Sequence, residues 1–373
     1  MLNLKDKLGL VHLRNYQKSL QNLTSQKVIK TTLNQELDCY RLKHLRFVVY
    51  SFLKCFEILL CLKDCYRFQL EHLIREGYNV VAVVTQPDKP SGRGQKLSES
   101  AVKQIAIQYN LPVLQPEKLK TAEFEQQIRE LKPDMQIVMA YRMIPESIYS
   151  IAPYGTFNLH TSLLPQYRGA APINRAIMNG ETQSGITTFL LNDKVDCGKI
   201  IHSQPIEITE RMTAGELHDE MMRLSPMLIE KTISTLLSEN PKLEEQTIAE
   251  SEELKTAPKL FKPDMLIDWT WSGKRIIDHI RGLSPYPAAF AEFEDRQTDK
   301  KHQIKVFTAE FHPKTIEKDT IGQMNLRDKN LIEVNCSDGV VQITDIQLSG
   351  KKRMSAEDFL RGFKIRHSLY ACK

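Results

Sequence analysis

Asn158 and His160 stand two residues apart in Phe157-Asn158-Leu159-His160-Thr161-Ser162. In an extended strand that spacing puts both side chains on one face. A carboxamide N–H beside a neutral imidazole suits a reaction in which an oxyanion develops and a proton moves. A single histidine at a strand end is more often structural, so a third group decides the reading. Asp196 supplies it, in a polar turn between two apolar runs. A carboxylate there holds an imidazole in one tautomer and orientation, as in triads generally. No serine or cysteine lies in a G-x-S-x-G elbow. The chemistry expected is therefore direct transfer, with no covalent enzyme intermediate.

A second set of residues is suited to phosphates. Residues 85–97 (TQPDKPSGRGQKL) read as a long basic loop carrying Lys89, Arg93 and Lys96. Its Gly92-Arg93-Gly94 lacks a third glycine and opens no helix at once, so it is not a dinucleotide fingerprint. The chain ends are also basic. Residues 1–50 hold nine Lys/Arg against three Asp/Glu, and residues 351–373 hold seven against two. Such ends favour a polyanion such as RNA. The seven cysteines are odd in number and irregularly spaced, which fits neither a disulfide framework nor a metal site. No apolar run approaches the ~18 residues that span a bilayer, and no secretory signal is present. The expectation is a cytoplasmic protein with no metal and no membrane partner.

The elements that must position these residues follow from the hydrophobic pattern. Strands are expected at 45–50, 79–85, 135–140, Thr156–His160, 185–191 and 199–208. Helices are expected at 98–109, Ala122–Leu131, Pro172–Met178 and 214–238. The near-continuous β-branched run at 79–85 (NVVAVVT) marks a parallel strand covered on both faces. The apolar run at 57–62 fits a buried strand or part of a helix equally well. Strands alternating with helices predict an α/β domain with a doubly wound, mostly parallel sheet. Sites in such sheets collect outside the carboxyl ends of the strands, where His160 falls. Residues 239–255 are polar and acidic and read as a linker. Beyond them, alternating segments at 302–308, Leu331–Asn335 and Gly339–Leu348 predict a small antiparallel β domain, a barrel. The division expected is an extension at 1–44, a catalytic domain at 45–238, a linker at 239–258 and a β-barrel domain at 259–373.

Taken in order, Asn158-x-His160-x-Ser162-Leu163-Leu164-Pro165, then Arg168-Gly169, then Asp196-x-Gly198, resemble the signature of the folate-dependent formyltransferase family. The resemblance implies a Rossmann-like first domain and 10-formyltetrahydrofolate as formyl donor. It implies Asn158, His160 and Asp196 as the catalytic trio and Ser162, Leu163, Leu164 and Pro165 as the folate-lining run. Further segments resemble the members that act on initiator methionyl-tRNA. These are the 85–97 loop, Ala257-Pro258-Lys259-Leu260 with Ile267-Asp268-Trp269, residues 280–287 (IRGLSPYP), and Gly350-Lys351-Lys352-Arg353-Met354 with residues 358–362. They imply an OB-like barrel that contacts tRNA, with Lys89, Arg93, Lys96, Lys351, Lys352 and Arg353 on the phosphates, in a monomeric enzyme of translation initiation. The match runs from about residue 79 to about residue 364. Two other readings stand beside it: a formyltransferase acting on an amino sugar or purine precursor, and a non-catalytic tRNA-binding remnant.

The resemblance fails at one end. The family's first strand is followed by a turn of Gly-Thr-Pro, an acid and Phe. Here residues 45–50 (LRFVVY) are followed by SFLKCF, without Gly or Pro. Cys39, Cys55, Cys61 and Cys65 crowd into the same region. This points to a segment from a shifted reading frame in preference to an inserted one.

Overall fold

The computed structural model describes residues 56–61, 66–91, 96–140, 142–248, 253–295, 300–327, 331–362 and 369–372. The strand expected at 45–50 lies outside them. Seven strands form the first sheet, in the order Ile200–Glu207, Gln183–Leu190, Thr156–His160, Met135–Met139, Phe56–Cys61, Asn79–Val84, Val113–Leu114. The last five of these run parallel to one another. Gln183–Leu190 runs against Thr156–His160, and Ile200–Glu207 runs against Gln183–Leu190. The mostly parallel, doubly wound sheet is therefore as expected.

Among the described residues the central position, between Asn79–Val84 and Met135–Met139, belongs to Phe56–Cys61, which overlaps the apolar run left open between strand and helix. A short apolar run has no period that separates strand from helix. What decides it here is a ladder with a neighbour on each side. From Phe56–Cys61 the chain winds outward to Val113–Leu114, then returns to Met135–Met139 on the other flank. That reversal opens a crevice at the carboxyl ends of the strands.

Burial explains the strand sequences. Val80, Ala82, Val83 and Val84 are buried, as is every residue of Met135–Met139, because helices cover both faces. Ser100 and Thr121 cap helices Ala101–Gln108 and Ala122–Leu131 by accepting the N–H of Lys103 and Phe124. The long helix Ala214–Leu236 opens with a reciprocal Thr213–Glu216 capping box. It lays Leu217, Met221 and Ile229 on a core that includes Leu70, Leu73, Phe157 and Leu159.

Six antiparallel strands close the second domain into a barrel. They are Lys300–Pro313, Ala289–Asp295, Leu369–Ala371, Gln323–Arg327, Leu331–Asn335 and Gly339–Leu348, with the last pairing back onto the first. Helix Gly273–Leu283 lies against it and sends Ile276, Ile280 and Leu283 into the barrel core. The sequence reading gave the barrel but not this helix. Its apolar stripe is interrupted by Asp278, His279 and Arg281, all buried. Asp278 and Arg281 pair with one another at 2.9 Å, which is how two charges come to lie inside.

Two segments read as loop and linker make main-chain pairings in their described parts. Within 85–97, Lys89–Ser91 pairs antiparallel with Lys96–Ser98, so the expected loop is a short ribbon. Three-residue strands are too short to show an alternation. Its tip, with Arg93, lies outside the described residues. The supposed linker is strapped to the first domain: Glu244 exchanges both main-chain hydrogen bonds with Ile200, at 2.8 and 2.9 Å. Thr256–Ala257 then forms a two-residue parallel pairing with Arg168–Gly169.

Candidate functional site

The strand Thr156–His160 alternates as its sequence demands. Phe157 and Leu159 enter the core on one face, which sends Asn158 and His160 to the other at the carboxyl end. Asn158 has a buried carboxamide oxygen with no hydrogen-bond partner among the described residues. A half-turn of the carboxamide puts an N–H in the same place, so the group offers either a donor or an acceptor to a ligand. His160 is 6% exposed and packs edge-on against Phe189, with ring centroids 6.5 Å apart.

Among the described residues, two polar groups face the imidazole. Nε2 lies 2.9 Å from the backbone oxygen of Tyr167. A carbonyl only accepts, so Nε2 is the protonated nitrogen in that contact. Nδ1 lies 3.8 Å from Asp196 Oδ2, within ion-pair range but beyond a hydrogen bond. The sequence reading gave Asp196 the task of fixing the tautomer. In the structure Tyr167 does that, and Asp196 is a charge beside the ring. Nothing in the sequence marks Tyr167, because it acts through its main chain.

Asp196 is itself constrained. It takes φ 52°, in the left-handed region, and Oδ2 accepts the Gly169 N–H at 3.0 Å. Two residues on, a Cβ at Gly198 would lie 1.6 Å from the Leu190 carbonyl oxygen, so only glycine lets the turn press that closely on the sheet. A second residue the sequence did not mark, Gln246, donates to the carbonyls of Asp196 and Gly198 at 3.0 and 2.8 Å. It sits in the polar stretch read as a linker, where one glutamine carries no signal.

The expected folate-lining run forms a tight loop after the strand. Ser162 donates its hydroxyl to the Gln166 carbonyl at 2.7 Å. Thr187 donates to the Ser162 carbonyl at 2.7 Å and accepts the Leu164 N–H at 3.2 Å. Ser162 and Leu164 are thus buried within the loop, and Leu163 covers Gly185. The Leu164–Pro165 peptide is cis. The Ser162 hydroxyl proton is thus engaged inside the loop.

Of the cations named from sequence, Lys89, Lys351, Lys352 and Arg353 lie among the described residues. Lys89 is exposed on the ribbon, and Lys351 and Lys352 are exposed at a turn of the barrel. Arg353 is tied down: its guanidinium donates to Asp345 at 2.7 and 2.5 Å and stacks 4.3 Å over the Phe307 ring. The Lys96 side chain, like all of Arg93, lies outside the description. A separate cleft of about 1180 Å³, lined by Arg175, Trp269, Trp271 and His279, shares no residue with Asn158, His160 or Asp196.

Residues 62–233 match the formyl transferase family, and residues 259–364 match the formyl transferase C-terminal domain. A methionyl-tRNA formyltransferase of Bacteroides fragilis is 46% identical over 297 residues, spanning 79% of this chain and 91% of its own. One from Flavobacterium johnsoniae is 42% identical over 293 residues, with the same spans of 79% and 91%. Among solved structures, an N-formyltransferase from Helicobacter canadensis with folinic acid and dTDP-3-aminofucose overlays at TM-score 0.55 and 17% identity. The overlay covers 80% of this chain and 99% of that one. HypX from Aquifex aeolicus with tetrahydrofolic acid gives TM-score 0.54 at 16% identity, over 84% of this chain and 50% of that one. At these identities the structural likeness is one of fold.

Proposed function

The chain belongs to the formyl transferase family, and from that premise we propose that the crevice beside Asn158 and His160 is its reaction site. The chain transfers the formyl group of 10-formyltetrahydrofolate to the α-amine of methionyl initiator tRNA. Relatives above 40% identity along nine-tenths of their length carry that activity in their name, which favours it over amino-sugar or purine-precursor transfer. The observation that supports the site is the Asn158 carboxamide oxygen, buried and without a partner among the described residues, two residues before the buried His160 at the carboxyl end of their strand.

The donor supplies the formyl carbon. Asn158 would donate its N–H to the oxygen charge that develops as the amine adds, in a setting where such a donor is strong. His160 would take up the proton lost by the amine and return it at folate N10. For Nε2 to take part, its contact with the Tyr167 carbonyl has to open. Asp196 would balance the charge the ring acquires, and Ser162–Pro165 would support the folate through the loop that Thr187 anchors. Lys89, Lys351 and Lys352 would meet tRNA phosphates as exposed point charges, with Arg93 and Lys96 on the ribbon. Arg353, already paired with Asp345, would help shape that surface. Work on a charged tRNA fits a cytoplasmic enzyme, and we place it there as a monomer.

The deciding assay is formylation of charged initiator methionyl-tRNA by the purified chain with 10-formyltetrahydrofolate. Formyl-methionyl-tRNA is the expected product. Binding of the tRNA without product would return the non-catalytic remnant as the reading.

A further inference from the structure

Gln246 is 50 residues from Asp196 along the chain, in the segment that leads from one domain to the other. Its carboxamide nevertheless lies in the turn that carries Asp196. Nε2 donates to the Asp196 carbonyl at 3.0 Å and to the Gly198 carbonyl at 2.8 Å. Oε1 accepts from Arg168 Nε at 3.0 Å and Arg168 Nη2 at 2.7 Å. Both donors and both acceptor positions of one carboxamide are therefore filled. The residue after Arg168 is Gly169, whose N–H holds the Asp196 carboxylate at 3.0 Å. Gln246 thus ties together the two pieces of chain that fix Asp196, one through its main chain and one through its side chain.

Asp196 needs this hold. A φ of 52° is costly for a residue with a Cβ and persists where the surroundings impose it. The segment carrying Gln246 is pinned on both sides. Glu244 bonds Ile200 at 2.8 and 2.9 Å, and the Lys255 carbonyl accepts the Tyr167 N–H at 2.7 Å. That last bond steadies the residue whose own carbonyl faces His160 Nε2.

We propose that Gln246 is a positioning residue for formyl transfer, holding the Asp196 carboxylate beside the His160 imidazole. This rests on the function proposed above. Asparagine, one methylene shorter, would not span the same bonds. Glutamate would keep Arg168 but set a carboxylate against two carbonyls.

The test uses the full chain with Gln246→Met, alone and combined with Asp196→Asn. In the otherwise unsubstituted chain, kcat should fall on the order of ten- to hundredfold, as small misplacements in a site do. KM for both substrates should stay within about threefold, since the fault lies in the reacting geometry. In the Asp196→Asn background the same change should cost less than about threefold, because groups acting through one another are not additive. Gln246→Glu should also lose activity, and its kcat relative to the unsubstituted chain should rise as pH falls into the carboxyl range. Independently of turnover, the Gly169 amide resonance should move in Gln246→Met as it does in Asp196→Asn. Equal losses in both backgrounds, or a Gly169 amide unmoved by Gln246→Met, would overturn the proposal. An unsubstituted chain that makes no product while the Gly169 amide still moves would instead sink the functional reading and leave the positioning intact.

Discussion

Replacing Asp196 with asparagine isolates the charge beside His160. The substitution keeps the shape of the side chain and an oxygen to accept the Gly169 N–H, which the aspartate holds at 3.0 Å. It removes a unit charge 3.8 Å from Nδ1. At that distance the pair interaction is roughly 4 kcal/mol at an effective dielectric near 20 and roughly 1 kcal/mol in bulk water. The side chains are 7% and 15% exposed, so the larger figure is the nearer guide. In the proposed reaction the ring becomes charged during the transfer, so the loss should fall on kcat and leave KM little changed. The expected drop is on the order of 10²–10³, since each 1.36 kcal/mol is tenfold. Single-turnover formylation of charged initiator tRNA under saturating donor measures it. A kcat within about threefold of the unsubstituted chain would refute the role given to Asp196. A rise in KM at unchanged kcat would show that the carboxylate serves binding.

Asn158→Ala and His160→Ala should each lower kcat by roughly 10²–10³, the usual loss of an oxyanion donor or its proton partner; near-normal turnover in either removes it from the site. Gly198→Ala places a Cβ 1.6 Å from the Leu190 oxygen. It should destabilise by about 1–3 kcal/mol in denaturant titration, the range for overpacking, and an unchanged midpoint would show that the turn yields freely. Burial pushes the His279 imidazole down to about 4, whereas an unfolded histidine titrates near 6.5. The unfolded chain therefore binds this proton first: the stability tied to His279 is full above about pH 6.5, declines toward pH 4 and is gone below it, roughly 3 kcal/mol in all. His279→Gln should flatten that part of the stability-against-pH curve, and an unaltered slope would assign the effect elsewhere. Lys351→Glu with Lys352→Glu should raise the KM for tRNA and weaken its salt dependence while leaving the folate KM unchanged; equal effects on both substrates would argue against a phosphate contact.

The sequence by itself determined the alternation of strands and helices. Period and composition are local: the β-branched run at Asn79–Val84, the strand Thr156–His160 and the helix Pro172–Met178 are legible because each carries its own pattern. It also placed Asn158 and His160 on one face, since a spacing of two fixes that in any strand. The signature residues gave the family for the same reason, as they keep their order and spacing. The tertiary structure decided everything that depends on a partner distant in the chain. Phe56–Cys61 is the central strand because it pairs with two neighbours, and no local signal separates it from a helix. Helix Gly273–Leu283 hides in the sequence because its buried Asp278 and Arg281 satisfy each other. The His160 contact belongs to a backbone carbonyl, and Gln246 reaches Asp196 from a polar segment that reads as linker. Main-chain groups and single amide side chains carry no periodicity, so only the folded chain shows which of them hold the site.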